Sequence, residues 1–146
     1  MKDAEAELIN LYSSKILKLA AKIPFGNRLK NPDCTIKKHS PICGSIVTVD
    51  VKVSNGVIEK FGQDIKACAL GQASASVLGK NIIGITKIDL QKGRDQLLDM
   101  LTNNGPVPDK PFEEFEPLRS ARSYTNRHAS ILLAIDATLE ALEKIK

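Results

Sequence analysis

Residues 47–53 read Val-Thr-Val-Asp-Val-Lys-Val, a valine at every second position with polar side chains between. A period of two fits a half-buried β-strand and no helix. Ser54-Asn55-Gly56 follows and supplies the Asn-Gly pair that tolerates positive φ in a tight turn, and Val57-Ile58-Glu59-Lys60-Phe61 then starts back. The spacing predicts an antiparallel hairpin. Its return strand runs on through Ile65, with Gly62 marking a bulge, and ends where Ala67-Cys68-Ala69-Leu70-Gly71 opens a run of small residues. In that run Leu70, Ala73, Val77 and Asn81 fall at helical spacing. The small residues between them let a backbone or ligand approach closely. Cys68 therefore sits where a strand hands over to a helix.

This position has chemical consequences. A helix N-terminus exposes unsatisfied N–H groups and a partial positive charge, both of which favour a thiolate. Ser40-Pro41-Ile42-Cys43-Gly44-Ser45 leads into the first strand of the hairpin. Adjacent strands lie about 5 Å apart, so the start of one and the end of the other share an edge. Cys43 and Cys68 are thus candidate ligands of one metal ion, with small buried thiols as the plainer alternative.

At these residues the chain resembles the U-type iron–sulfur cluster assembly scaffolds, the NifU N-terminal or IscU-like family. The resemblance runs from about Ser40 to the C-terminus. It is carried by Pro41-Ile42-Cys43-Gly44, by Ala67-Cys68-Ala69-Leu70-Gly71 and by Arg127-His128-Ala129-Ser130 at the start of a last amphipathic helix. It implies an α+β fold, a small antiparallel sheet of about three strands with helices packed on one face, and the hairpin-then-helices order agrees. In the family, three cysteines and an aspartate or histidine hold a nascent cluster or zinc. By resemblance Cys43 and Cys68 stand at the first two cysteine positions and His128 at the histidine position. The third cysteine position is Ala129 and the aspartate position is Ser45. The proline-containing chaperone motif of the family has no counterpart in residues 121–126.

The resemblance implies a scaffold or carrier, not an enzyme. It would bind iron, an iron–sulfur cluster of the 2Fe–2S type, or zinc as a substitute, through Cys43, Cys68 and His128. Its partners would be a cysteine desulfurase and client apo-proteins. Four ligands are the norm for a cluster, and one chain offers three at matching positions. Cys34, solvent, a persulfide sulfur or a second copy would supply the fourth, and a two-fold homodimer sharing Cys43 and Cys68 would make a four-thiolate site. A degenerate relative that binds partners of cluster assembly without holding a cluster is the main alternative. An enzyme with Cys68 as nucleophile and His128 as base is the weakest reading, because no third orienting residue accompanies them.

The rest of the chain bounds these readings. Its 146 residues are expected to form a single domain, 1–146, large enough for a core without a metal or disulfide as staple. No apolar run spans a bilayer and the N-terminus is not signal-like, so a cytoplasmic protein with no membrane contact is expected. Three cysteines, an odd number, point to reduced thiols rather than a disulfide framework. The net charge of +4 is spread along the chain without a basic run or stacking aromatics, which argues against a nucleic-acid partner.

Residues 3–22 are predicted as an amphipathic helix by Leu8, Tyr12, Ile16, Leu19 and Ile23, closed by Pro24 and Gly26. Such a helix commonly packs on its own sheet. Residues 24–41 carry only loop signals, and a mobile loop there would fold Cys34 or His39 over the site. Thr86 to Asp89 resembles a capping box for a helix whose apolar side is Ile88, Leu97, Leu98 and Leu101. Residues 106–117 read as an acidic connection pinned to the core by Phe112 and Phe115, and 118–124 as one or two helical turns. The last helix is expected over 126–145, with His128, Leu132, Ile135, Leu139 and Leu142 on one stripe.

Overall fold

The computed structural model describes residues 13–42 and 44–145. The predicted hairpin forms its centre. Strand β2 (Ile46–Ser54) and strand β3 (Val57–Lys66) pair antiparallel. Asn55 and Gly56 both adopt positive φ at the turn, 53° and 80°, which matches the right-handed twist of the strands. Val47, Val49 and Val51 are at most 2% exposed. Each contributes about 2 kcal/mol of apolar burial, enough to fix the register, since a slip of one residue would turn all three to the other face.

Strand β1 (Cys34–His39) adds a third, edge strand antiparallel to β2, in the order β1-β2-β3. This corrects the expectation of loop across 24–41. The strand carries one well-buried apolar side chain, Ile36, opposite Val49. Polar Thr35, Lys37 and His39 surround it, a composition suited to an exposed edge but without an apolar alternation to read. The irregularity in the hairpin falls at Lys52/Val53, where the partners step from Lys60 to Ile58, and not at Gly62. Gly62 is required for another reason: a Cβ there would lie 2.5 Å from the Asn27 carbonyl oxygen. The chain ahead of β1 crosses the sheet's outer face at that point.

That crossing closes over Asp50, whose side chain is fully buried. The carboxylate accepts from Arg28 Nε at 2.6 Å and Nη2 at 3.1 Å, from the Leu29 amide at 3.0 Å and from Thr35 Oγ1 at 2.5 Å. Burial alone would raise its pKa, but these four donors hold it below the ordinary carboxylate value.

The inner face carries the helices. Helix α1 (Ser14–Ala21) follows Ser13, whose hydroxyl accepts from the Ile16 amide. Ile16 is fully buried, with Leu19 and Ile23 packed against the core, while Leu8 and Tyr12 lie outside the described residues. Instead of lying on the sheet, α1 packs mainly on helix α2 (Ala69–Asn81). Its end is held there by the Ser76 hydroxyl, which donates to the Lys22 carbonyl. Helix α2 is buried almost all round, because its small residues admit neighbours on several sides. Helix α3 (Lys87–Thr102) begins as expected, the Thr86 hydroxyl accepting from the Asp89 amide at 3.1 Å. Leu97 and Leu101 are buried, but Ile88 is exposed, since it falls outside the stripe that Leu90, Leu97 and Leu101 turn to the core.

Phe112 and Phe115 are buried with their rings stacked at 5.7 Å. The segment they anchor is helical earlier than expected, a 3₁₀ stretch over Glu113–Ala121 containing Pro117, then a short turn at Thr125–Arg127. Helix α4 (His128–Lys144) closes the fold. It lies across β1 and β2 and against α2 and α3, and its stripe is buried as expected, with Leu142 at the margin.

Candidate functional site

Three chain segments meet at one end of the sheet: the β1–β2 connection, the β3–α2 junction and the first turn of α4. Cys68 is the N-cap of α2, with extended backbone (φ −66°, ψ 170°), so the strand does hand over to the helix at this thiol. The thiol is half-buried and not in a disulfide. Its Sγ lies 3.6 Å from Ser130 Oγ, and Ser130 Oγ lies 3.0 Å from Ser45 Oγ. Gly71 makes this approach feasible, because a Cβ at that position would sit 2.5 Å from Ser130 Oγ. Neither α2 nor α4 has a side-chain cap at its N-terminus. The Thr125–Arg127 turn runs directly into α4, where the His128 amide donates to the Thr125 carbonyl, so the helix end that favours an anionic guest at Cys68 is that of α2.

His128 opens α4 two residues before Ser130 and is 9% exposed. Its Nε2 lies 2.9 Å from the Ala121 carbonyl oxygen and 3.1 Å from that of Arg122. Both are acceptors only, so Nε2 carries the proton and the neutral ring keeps its lone pair on Nδ1. Any metal bond from neutral His128 goes through Nδ1, with the two carbonyls fixing the ring.

Cys43 lies outside the described residues. On one side of it Ile42 is exposed, and on the other Ser45 is buried against Ser130. Among the described residues, no three histidine, cysteine, aspartate or glutamate side chains gather at a point. Of the candidate ligands, the described residues include the Cys68 thiol and the His128 ring, donor types that iron and zinc accept.

Cys34 does not fold over the site. It opens β1 opposite Val51, whereas His39 at the strand's other end pairs with Ile46, which pairs with Lys66. Five residues of strand, about 16 Å, separate Cys34 from the site end of the sheet. His39 is exposed at that end. The hydroxyl pair Ser45–Ser130 was not visible as a unit in sequence, being 85 positions apart. No helix among the described residues is long and apolar enough to cross a membrane.

No family model matches the chain. A crystal structure of a nitrogen-fixing NifU-like protein (N-terminal) from Brucella abortus is similar with a TM-score of 0.92 at 40% identity, covering 95% of this chain and 96% of that one. An iron–sulfur cluster assembly scaffold protein IscU of Thermotoga maritima is 24% identical over 135 residues, 92% of this chain and 94% of that protein. One of the same name from Streptococcus pyogenes serotype M1 is 24% identical over 109 residues, 75% of this chain and 69% of that protein. With that identity to the Brucella protein over nearly the whole length, and the three-strand sheet with its helices on the inner face, the chain belongs to the U-type iron–sulfur cluster assembly scaffold family, the NifU N-terminal or IscU-like proteins.

Proposed function

We propose that this chain is a scaffold or carrier, acting as a single domain in the cytoplasm, whose cargo is iron or an iron–sulfur cluster of the 2Fe–2S type, with zinc as a substitute. Cys43, Cys68 and His128 hold the cargo, and a cysteine desulfurase and client apo-proteins are its partners. The observation that supports this reading best is the place of the half-buried Cys68 thiol at the N-terminus of α2, with His128 two residues from the serine it touches. The thiol of Cys68 is accessible enough to exchange a ligand and sufficiently enclosed to limit water. Nδ1 of His128 retains the lone pair a metal needs. An incomplete donor set in one chain also suits a protein that must release its cargo.

A second reading has its own support. At the position the resemblance gives to the aspartate, Ser45 is turned inward to Ser130, and Ala129 has no donor. A relative that binds assembly partners without holding a cluster would keep the fold and lose ligands in this way.

Anaerobic reconstitution with iron and sulfide separates the two. The scaffold reading expects sulfide-bearing iron with visible absorption in the wild type, lost in Cys43→Ser and in Cys68→Ser. About one cluster per two chains would assign the shared homodimer site. Wild-type protein that takes up no cluster, and gains no thermal stability from zinc or iron, would leave the partner-binding reading in its place.

A further inference from the structure

The turn that holds His128 also walls a cleft. Glu116, Pro117, Arg119, Ser120, Arg122, Ser123 and Tyr124 line a space of about 450 Å³, within the range of small-molecule sites. Its donors are underused. Arg122 Nη1 is buried and has no hydrogen-bond partner among the described residues. Such an atom is rare, because a buried donor without an acceptor forfeits its bond to water. Among the described residues, Arg119 has no carboxylate within ion-pair distance and the exposed Ser123 hydroxyl forms no hydrogen bond. Ser120 donates to the Pro117 carbonyl at 3.1 Å, which leaves its oxygen as an acceptor. Glu116 is the one acidic side chain in the lining, and it pairs with neither arginine.

We infer that this cleft binds a small oxyanion, of the carboxylate or phosphate class, through Arg122 and Arg119 with Ser123 as a further donor. A guanidinium presents paired N–H groups at the spacing of such oxygens, and Arg122, in the cleft wall with Nη1 unsatisfied, has donor capacity left for one. The contrast with a second cation-lined cleft, whose lining includes Arg28, Lys30, Lys52 and Lys60, is instructive. There Arg28 is already committed to Asp50 and Lys52 faces Asp33 at 3.9 Å. Among the described residues, Arg119 and Arg122 of the first cleft have no such partners. An occupant would touch the same turn whose carbonyls, Ala121 and Arg122, fix the His128 ring.

The proposal is independent of any cargo and is tested on the metal-free chain. Calorimetric titration with inorganic phosphate and, separately, with citrate is expected to show saturable binding of at least one. Phosphate alone would identify a tetrahedral anion as the ligand class, and citrate alone a carboxylate. Arg122→Gln and Arg119→Gln are each expected to weaken binding about tenfold. Absence of saturable binding of either probe up to about 10 mM would overturn the proposal. So would affinity left unchanged by both substitutions. Should Arg122→Gln fail to fold, the exposed Arg119 decides alone, and an unchanged affinity in Arg119→Gln overturns the assignment.

Discussion

Two polar clusters of the molecule are built on opposite principles. On the outer face of the sheet, Asp50 is a fully enclosed charge with four donors aimed at it from Arg28, Leu29 and Thr35. At the end of the sheet, Cys68, Ser130 and Ser45 are linked by contacts of 3.6 Å and 3.0 Å. The first cluster has every lone pair engaged and nothing left to offer a ligand. The second has a half-buried thiol at the N-terminus of α2. Saturation marks the cluster that holds the chain ahead of β1 against the sheet, and an accessible thiol marks the one that can take a guest.

Substitution at each cluster is the most direct way to break this comparison. Asp50→Ala strips the acceptor from a part-buried amide, a hydroxyl and a guanidinium at once. The expected cost is about 3 kcal/mol, which for a chain of this size lowers the melting temperature by roughly 10 °C. Cys68→Ser, in contrast, replaces a half-buried thiol by a smaller polar group and is expected to shift stability by less than about 1 kcal/mol. Paired thermal melts of the two variants check this. Equal losses would remove the distinction between a cluster that holds structure and one that does not.

A smaller effect separates the clusters by pH. The folded-state pKa of Asp50 lies below its unfolded value, so its ionised form contributes stability above about pH 4. That contribution is lost as pH falls through the lower, folded value, because the unfolded chain binds the proton first. Wild-type stability is therefore expected to fall on acidification below about pH 4, with Asp50→Asn lacking that part of the fall. Denaturant melts of both proteins between neutral pH and about pH 3 measure it, and parallel curves would show that Asp50 does not set the acid limb.

Much of this architecture was legible because it is local. The alternation of valines, the Asn55-Gly56 turn and the Thr86 cap each report on neighbours within a few residues, and each formed as read. Cys68 was legible for the same reason, since its place depends only on a strand ending and a helix beginning beside it. β1 was not, because an edge strand with one buried apolar residue, Ile36, has little pattern to show. Asp50 looked like any outward polar residue of a strand until the chain ahead of β1 closed over it. Its partners stand 15 to 22 positions away. At the site, the helical stripe placed His128 on the buried face, but only the fold shows that its Nε2 is spent on the carbonyls of 121 and 122.

The finest test lies within the second cluster. Ser45 and Ser130 are both nearly fully buried, and either hydroxyl can donate across their 3.0 Å contact. Ser130→Ala takes away one partner of Ser45 and also the oxygen beside Cys68, whereas Ser45→Ala leaves Ser130 its contact with the thiol. Each single change is expected to cost about 1 kcal/mol. The double variant should cost less than their sum, because with both hydroxyls gone the broken bond is counted once. A coupling of about 0.5–1 kcal/mol in a double-mutant cycle is the expected result. Strict additivity would mean that the two hydroxyls act independently, and the polar chain from Ser45 to Cys68 would then be two separate contacts rather than one linked unit.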